Sequence, residues 1–331
     1  MIEQAIIFID NISLKRSITG KIIDILLRTG LDIVGMKMIV PDRIFIRDYC
    51  RIIKSRLSRK YVNYSYLDKR ILVLVLQGEN AVEKVKYIIG RERKSMKKEY
   101  WHGTTIRGMY FGGSRRICLL FKVYENVVQI SSTRQESEKL IKLVWRKHKM
   151  NGNSIKHLRG HEMKPNEERT LIMLKPATVE YRLIGKVIDD LSKSGLYIVG
   201  TNIVRPSLEQ LKQHYIGLIQ SKGMKTYKEV VGHFAGIEKG KKARDTKFVQ
   251  LVYRGPKGEV TKVIREIIGS TKPENADIGT IRRSFGKDIT ENVVHASATP
   301  EDTERELNIW NASNELLEGI IEYNSKIFKN F

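Results

Sequence analysis

A histidine at the end of an apolar run is the first residue here that could do chemistry. The run is "ENVVHAS", residues 291–297, and His295 stands where a strand would otherwise place a core side chain. An imidazole titrates near neutral pH and can act as acid, base or nucleophile. Residues 125–131 read "ENVVQIS", the same phrase with Gln129 in the histidine's place. An amide side chain does not ionise, so the two phrases contrast a position that could react with one that could not. Around His295 lie Asn292 three residues before, Ser297 two residues after and Glu306 eleven residues after. His214, next to Tyr215, and His233 read as ordinary histidines.

The repeated phrase belongs to a larger repeat. "GKIIDILLRTGLDIVGMKMIVP" (20–41) and "GKVIDDLSKSGLYIVGTNIVRP" (185–206) match at about half their positions without a gap. "RILVLVLQGENAVEKVKYIIG" (70–90) answers "FVQLVYRGPKGEVTKVIREIIG" (248–269), and "GTTIRG" answers "GTIRRS", in the same order. The chain is therefore a duplicated domain: copy one over 1–149, a polar linker over 150–166 and copy two over 167–331. Each copy reads as four alternations of strand and helix. In the second, "RTLIMLK" suits a buried strand, and Leu183, Ile184, Val187, Ile188 and Leu191 form a helical stripe closed by Gly195. "LYIVGTNIV" and "KFVQLVY" give further strands, and "SLEQLKQHYIGL" a helix that opens on a serine cap. The fold class expected is α+β, within the broad α/β group: two tandem ferredoxin-like βαββαβ domains, each an antiparallel sheet with helices packed on one face.

Composition excludes several classes. With 331 residues, 41% hydrophobic and 29% charged, the chain is an ordinary globular protein and is long enough for two cores. No apolar run approaches a membrane span and the first residues lack a basic leader, so no membrane partner and a cytoplasmic location are expected. Cys50 and Cys118 alone make no disulfide scaffold and have no metal-ligand spacing. The net charge of +23 is lopsided: residues 1–160 hold 33 Lys and Arg against 14 Asp and Glu. That suits either a polyanion-binding first half or a general lysine-rich bias.

An ordered set of motifs then carries a family resemblance. "ERTLIMLKP", "HY" in "LKQHYIGL", "REIIGSTKP", "GTIRRSF", "ENVVHAS" and "EDTERELNIW" resemble nucleoside diphosphate kinase, over residues 167–323 and almost the whole of that domain. The resemblance implies phosphoryl transfer from a nucleoside triphosphate such as ATP to a nucleoside diphosphate through phospho-His295. It makes Glu306 the carboxylate that orients the imidazole and Ser297 the hydroxyl that bonds this pair. Lys175, Arg265 and Arg282 match the cationic positions, and Tyr215 and Thr271 the hydroxyl ligands of phosphate. Asn292 would read the sugar with the lysine, and Ile289 would touch the base. Mg²⁺ is implied as cofactor, held through the phosphates with no metal ligands of its own from the protein. The sequence departs from the family pattern at "KPAT" (175–178), at Ala296-Ser297-Ala298 after the nucleophile, and in an enlarged segment over 216–247, where Phe234 and Tyr227 are both open as base-stacking residues.

The first copy keeps the pattern and loses the chemistry. Asp10 falls opposite Lys175, Cys50 opposite Tyr215, Lys86 opposite Arg265 and Glu92 opposite Thr271, while Leu140 or Ile141 takes the place of Glu306. Arg107 and Asn126 survive. This half is expected to be a degenerate partner, and the resemblance implies a homo-oligomer of pseudo-hexameric or pseudo-tetrameric packing. The basic stretches 51–66 and 90–108 interleave Lys and Arg with Tyr and Trp. They read either as a nucleic-acid surface or as a solvated basic face with aromatics partly in the core.

Overall fold

Ile6, Ile7, Phe8 and Ile9 are consecutive and all fully buried. Successive strand residues point to opposite faces, so the sheet that holds them is covered on both sides, not on one. The computed structural model describes residues 2–54, 59–90, 103–110, 127–145, 164–238, 241–242 and 246–310. The chain divides into two units, Met1–Gly152 and Asn153–Phe331. Most of the expected linker, residues 150–163, lies outside the described residues.

In the first unit the order is β1 (Ile2–Ile9), α1 (Thr19–Leu27), β2 (Asp32–Ile39), α2 (Arg43–Ile52), β3 (Ile71–Glu79), α3 (Ala81–Ile89), β4 (Val128–Ile130) and α4 (Arg134–Trp145). Its strands lie in the order β2-β3-β1-β4, every pair antiparallel. Helices α1 and α3 pack on each other, α2 and α4 do likewise, and one of each pair, α3 and α4, packs on β1. The second unit repeats this with β5 (Glu167–Leu174), α5 (Ile184–Ser192), β6 (Tyr197–Val204), α6 (Leu208–His214), α7 (Leu218–Phe234), β7 (Phe248–Pro256), α8 (Val260–Ile268), β8 (Val294–Ala296) and α9 (Pro300–Trp310). Its order is β6-β7-β5-β8, again antiparallel. The first and third strands of each unit are central and the second and fourth lie at the edges, with helices in the connections, which is the ferredoxin-like arrangement.

Local chemistry explains the ends of the elements. Ser207 caps α6 by accepting from Gln210 N at 3.1 Å, and Gln210 Oε1 accepts from Ser207 N at 3.0 Å, a reciprocal capping box. Gly269 ends α8 at φ 85° and Gly90 ends α3 at φ 87°, a conformation that glycine alone adopts readily. A Cβ at either place would lie 2.5 Å from Thr280 Oγ1 or 2.7 Å from Thr105 Oγ1. The enlarged segment forms α7, interrupted at Gly223 with φ 81°, and a two-strand hairpin of Ile237–Glu238 with Lys241–Lys242.

Candidate functional site

Strand β8 has only three residues, and its register places His295 opposite Met173 on β5. The flanking Val294 and Ala296 are buried while His295 is partly open, so the strand alternation turns the imidazole to the face that α9 covers. On α9, Thr303, Glu306, Leu307 and Trp310 form the buried stripe, spaced as one helical face requires. That stripe brings Glu306 to His295: Nε2 lies 3.1 Å and 3.0 Å from its two carboxylate oxygens. Ser297 Oγ donates to the same carboxylate at 2.7 Å. Burial alone would raise the Glu306 carboxyl, but the His295 and His214 rings and the two hydrogen bonds outweigh it and hold the group at about 2. An ionised carboxylate only accepts, so Nε2 carries the proton and Nδ1 is left with its lone pair.

Beside this pair is a cationic recess. Lys175 follows β5 directly, and its Nζ donates to Asn292 Oδ1 at 2.6 Å and to the Thr290 carbonyl at 3.0 Å. Burial, with the Arg282 charge, lowers this lysine to about 7, against an opposing pull from Asp288. The Asn292 amide donates in turn to the carbonyls of Thr271 at 2.9 Å and Ile289 at 3.1 Å. Arg282 donates to the carbonyls of Gly269 and Val294, both at 2.9 Å, and is lowered to about 10 by burial and by the charge of Arg265. Arg265, Thr271 and Ile289 are exposed. The Tyr215 hydroxyl is buried with no hydrogen-bond partner among the described residues, and burial plus the Glu306 charge raises it. Of the expected residues, Glu306 meets His295 and Ser297 meets Glu306, Asn292 meets Lys175 and the carbonyls of Thr271 and Ile289, and Arg282 holds the carbonyl before His295.

Sequence reasoning missed four features. His214 is no bystander: its ring meets that of His295 edge to face at 4.6 Å, and its Nδ1 accepts from Trp310 Nε1 at 3.2 Å. Burial lowers it to about 3, so although Nδ1 lies 3.9 Å from Glu306 it carries no charge to form an ion pair. Thr178, the last residue of the departure "KPAT", is fully buried and donates to the Val293 carbonyl at 2.5 Å. Val293 itself has φ 59°, a strained conformation for a β-branched residue, directly before the strand that carries His295. Finally, Phe234 cannot stack on a base. It is 2% exposed, stacked on Tyr215 at 5.5 Å, and Lys175 Nζ lies 5.2 Å over its ring. Tyr227 packs against the same core. The sequence neighbour of Phe234, His233, is the half-open ring: it lies 3.7 Å from Glu291, beside the turn that bears Ile289. Periodicity flagged none of these, since each depends on residues distant in sequence.

Among the described residues His214, His295 and Glu306 form a group whose possible ligand atoms lie within 4.8 Å of one another. It does not suit Mg²⁺, which demands oxygen ligands. Glu306 is committed to His295 and Ser297, and His214 Nδ1 to Trp310.

The first unit shows the same frame refilled. Asp10 occupies the place of Lys175 and accepts from the Tyr66 hydroxyl at 3.0 Å, both groups buried. Tyr66, Tyr49 and Phe8 interlock with centroids 5.3–6.3 Å apart. Gln129, Leu140 and Ile141 are buried, and Lys86 pairs with Glu83 at 2.7 Å. Glu92 and Asn126 lie outside the described residues, as do 55–58 and 91–102 of the basic stretches. Of the three tyrosines within 59–66, Tyr61 and Tyr66 belong to the core and Tyr64 is exposed, with Lys69 Nζ 4.2 Å over its ring. No helix among the described residues is long and apolar enough to cross a membrane.

Comparison with known proteins gives the same family for both units. The family model "Nucleoside diphosphate kinase" matches residues 3–150 and 168–316. The chain is similar to a nucleoside diphosphate kinase of Kosmotoga olearia, 34% identical over 46% of this chain and 93% of the relative. It is also similar to one of Symbiobacterium thermophilum, 34% identical over 43% of this chain and 86% of the relative. A crystal structure of nucleoside diphosphate kinase from Encephalitozoon cuniculi is 31% identical over 43% of this chain and 88% of its own, with TM-score 0.38.

Proposed function

The chain belongs to the nucleoside diphosphate kinase family of phosphotransferases, and we propose that its C-terminal unit alone performs the transfer, in two steps through His295. The observation that carries this reading is the His295–Glu306–Ser297 set, which leaves Nδ1 as the nucleophilic nitrogen. In the first step the Nδ1 lone pair attacks the γ-phosphorus of a nucleoside triphosphate. The Pγ–O bond to the β-phosphate breaks, and the diphosphate leaves with the electron pair. In the second step a terminal oxygen of another nucleoside diphosphate attacks the phosphorus, and the N–P bond breaks back to the imidazole. Glu306 holds the ring and offsets the positive charge that it gains on phosphorylation.

Lys175, Arg265 and Arg282 supply the positive field that phosphoryl transfer needs, since such catalysis is mostly positioning and charge neutralisation. A phosphate oxygen would satisfy the buried hydroxyl of Tyr215, and Thr271 offers a second hydroxyl at the rim. Lys175 and Asn292, already bonded to each other, would read the sugar hydroxyl. The base would rest between Ile289 and His233, with few polar contacts, so discrimination among bases would be slight. Mg²⁺ enters with the nucleotide as part of the substrate, since the imidazole-rich cluster suits it poorly. The first unit, without lysine, tyrosine, histidine or glutamate at the matching places, would serve assembly of a self-associating, cytoplasmic enzyme.

Incubation with [γ-³²P]ATP tests this. An acid-labile, alkali-stable protein label, chased by a nucleoside diphosphate and lost in His295→Gln, is the expected result. Transfer that persists in His295→Gln rules out the mechanism.

A further inference from the structure

The duplication supplies an internal control for the active site, because one copy keeps its frame without the chemistry. In the second unit Arg282 Nη1 donates to the Gly269 carbonyl and Nη2 to the Val294 carbonyl, both at 2.9 Å. In the first, Arg107 Nη1 donates to the Gly90 carbonyl at 2.9 Å and Nη2 to the Val128 carbonyl at 3.1 Å. These backbone acceptors correspond one to one; Arg107 Nη2 also donates to Gln129 Oε1 at 3.3 Å, the amide that stands in the place of His295. Gly269 and Gly90 are the left-handed glycines that end α8 and α3. Val294 and Val128 are the residues immediately before His295 and Gln129. Around Arg107 the nucleophile is an amide, the lysine has become Asp10 and the tyrosine Cys50, so no phosphate needs gripping there. The bridge persists all the same.

We propose that Arg282 is a positioning residue for His295, a brace that ties the backbone before the nucleophile to the end of α8. This rests on the reading of His295 as the phosphoryl acceptor. Strand β8 needs such a brace. It is three residues long, it pairs with β5 within the sheet of its unit, and it follows the strained Val293. Thr178 and the Lys175 amide hold the Val293 carbonyl, at 2.5 Å and 2.8 Å, and Arg282 holds the next carbonyl along. A planar guanidinium can span two well-separated carbonyls in a fixed fork, whereas the three N–H groups of an ammonium radiate from one nitrogen. The family role of gripping nucleotide phosphate then comes second, from the N–H groups that the brace leaves over.

Two phosphoryl donors separate brace from phosphate ligand. MgATP presents a polyphosphate to the cationic recess; phosphoramidate presents one phosphoryl group and no nucleoside. With phosphoramidate, Nδ1 attacks phosphorus, the donor's P–N bond breaks, and ammonia leaves with the proton that phosphoramidate carried. The full-length protein, Arg282→Lys and Arg107→Lys would be labelled with each donor, after thermal melting shows that each variant is folded. The brace predicts that Arg282→Lys loses about tenfold or more with both donors, as a misplaced nucleophile does, while Arg107→Lys stays within about twofold of wild type. Wild-type phosphoramidate labelling in Arg282→Lys, with loss confined to MgATP, overturns the brace and leaves His295 as the acceptor. An equal loss in Arg107→Lys overturns it also, because the effect is then general destabilisation. Failure of the wild type to label with either donor overturns the reading of His295 itself. Should Arg282→Lys not fold, the side-chain ¹⁵N–¹H signals of Arg282 in the nucleotide-free wild type decide. Slow solvent exchange supports the brace, and protection that arises only with nucleotide excludes it.

Discussion

The indole N–H of Trp310 donates to Nδ1 of His214 at 3.2 Å, although 96 residues separate them. Trp310 sits one turn beyond Glu306 on α9, so a single helix holds both the carboxylate of His295 and the partner of the ring that flanks it. With Nδ1 accepting and burial keeping it neutral, His214 is a fixed, uncharged wall that does not compete for Glu306.

That wall can be loosened selectively. Trp310→Phe keeps an aromatic in the core and removes the donor. It should lower stability by about 1 kcal/mol, the usual net value of a hydrogen bond, and lower kcat severalfold with little change in KM. Urea denaturation beside steady-state kinetics checks both.

Glu306→Gln should be far more damaging to rate than to folding. An amide can donate to Nε2 and stabilise the wrong tautomer, so kcat should fall by about 10²–10⁴, the range for loss of acid–base assistance. Ser297→Ala removes only one bond to the same carboxylate and should cost about tenfold or less. As for pH, the folded Glu306 carboxyl lies below its unfolded value. Its contribution to stability is therefore present above the ordinary carboxylate range and is lost as the pH falls toward about 2. Acid unfolding of wild type and Glu306→Gln should differ in that window.

Lys175 gives a slope of the same sign in a higher pH window. Its folded value is lowered to about 7, so between there and its ordinary value near 10.5 the unfolded chain binds more protons than the folded one. Stability should rise with pH across this window, and the rise should vanish in Lys175→Met. Over the same range KM for nucleotide should increase, because the neutral amine no longer attracts phosphate. Denaturation midpoints and KM measured from pH 6 to pH 10 follow the two effects separately.

Phe234 and His233 should behave as opposites despite being neighbours. Phe234→Ala empties a core position and should destabilise by about 3–5 kcal/mol. His233→Ala, at a half-open ring, should leave stability within about 0.5 kcal/mol and raise KM for nucleotides severalfold. Calorimetry and nucleotide titration distinguish them.

Restoring the histidine in the first unit should not restore chemistry. Gln129→His in a His295→Gln background places an imidazole where Leu140 and Ile141 offer no carboxylate and Asp10 replaces the lysine. No acid-labile label should form from ATP. Tyr66→Phe, which removes one donor from the buried Asp10, should destabilise by about 1–3 kcal/mol and leave kcat unchanged.

The sequence by itself determined the duplication, the strand–helix order of both copies and the residues that gather at His295. These are written in short-range signals: strand runs, a capping serine, closing glycines, and the spacing of Asn292, Ser297 and Glu306 within one stretch of chain. Because β8 and α9 are adjacent in sequence, bringing His295 to Glu306 needs one turn between them. Tertiary structure decided what lies between distant segments. It covered both faces of each sheet, buried Phe234 under Lys175 and Tyr215, set His214 against His295, and gave Arg282 two backbone carbonyls to hold. Ring packing and the satisfaction of carbonyls depend on which elements cross. A sequence pattern records which face of an element is apolar, but not which side chain or carbonyl from elsewhere will meet it.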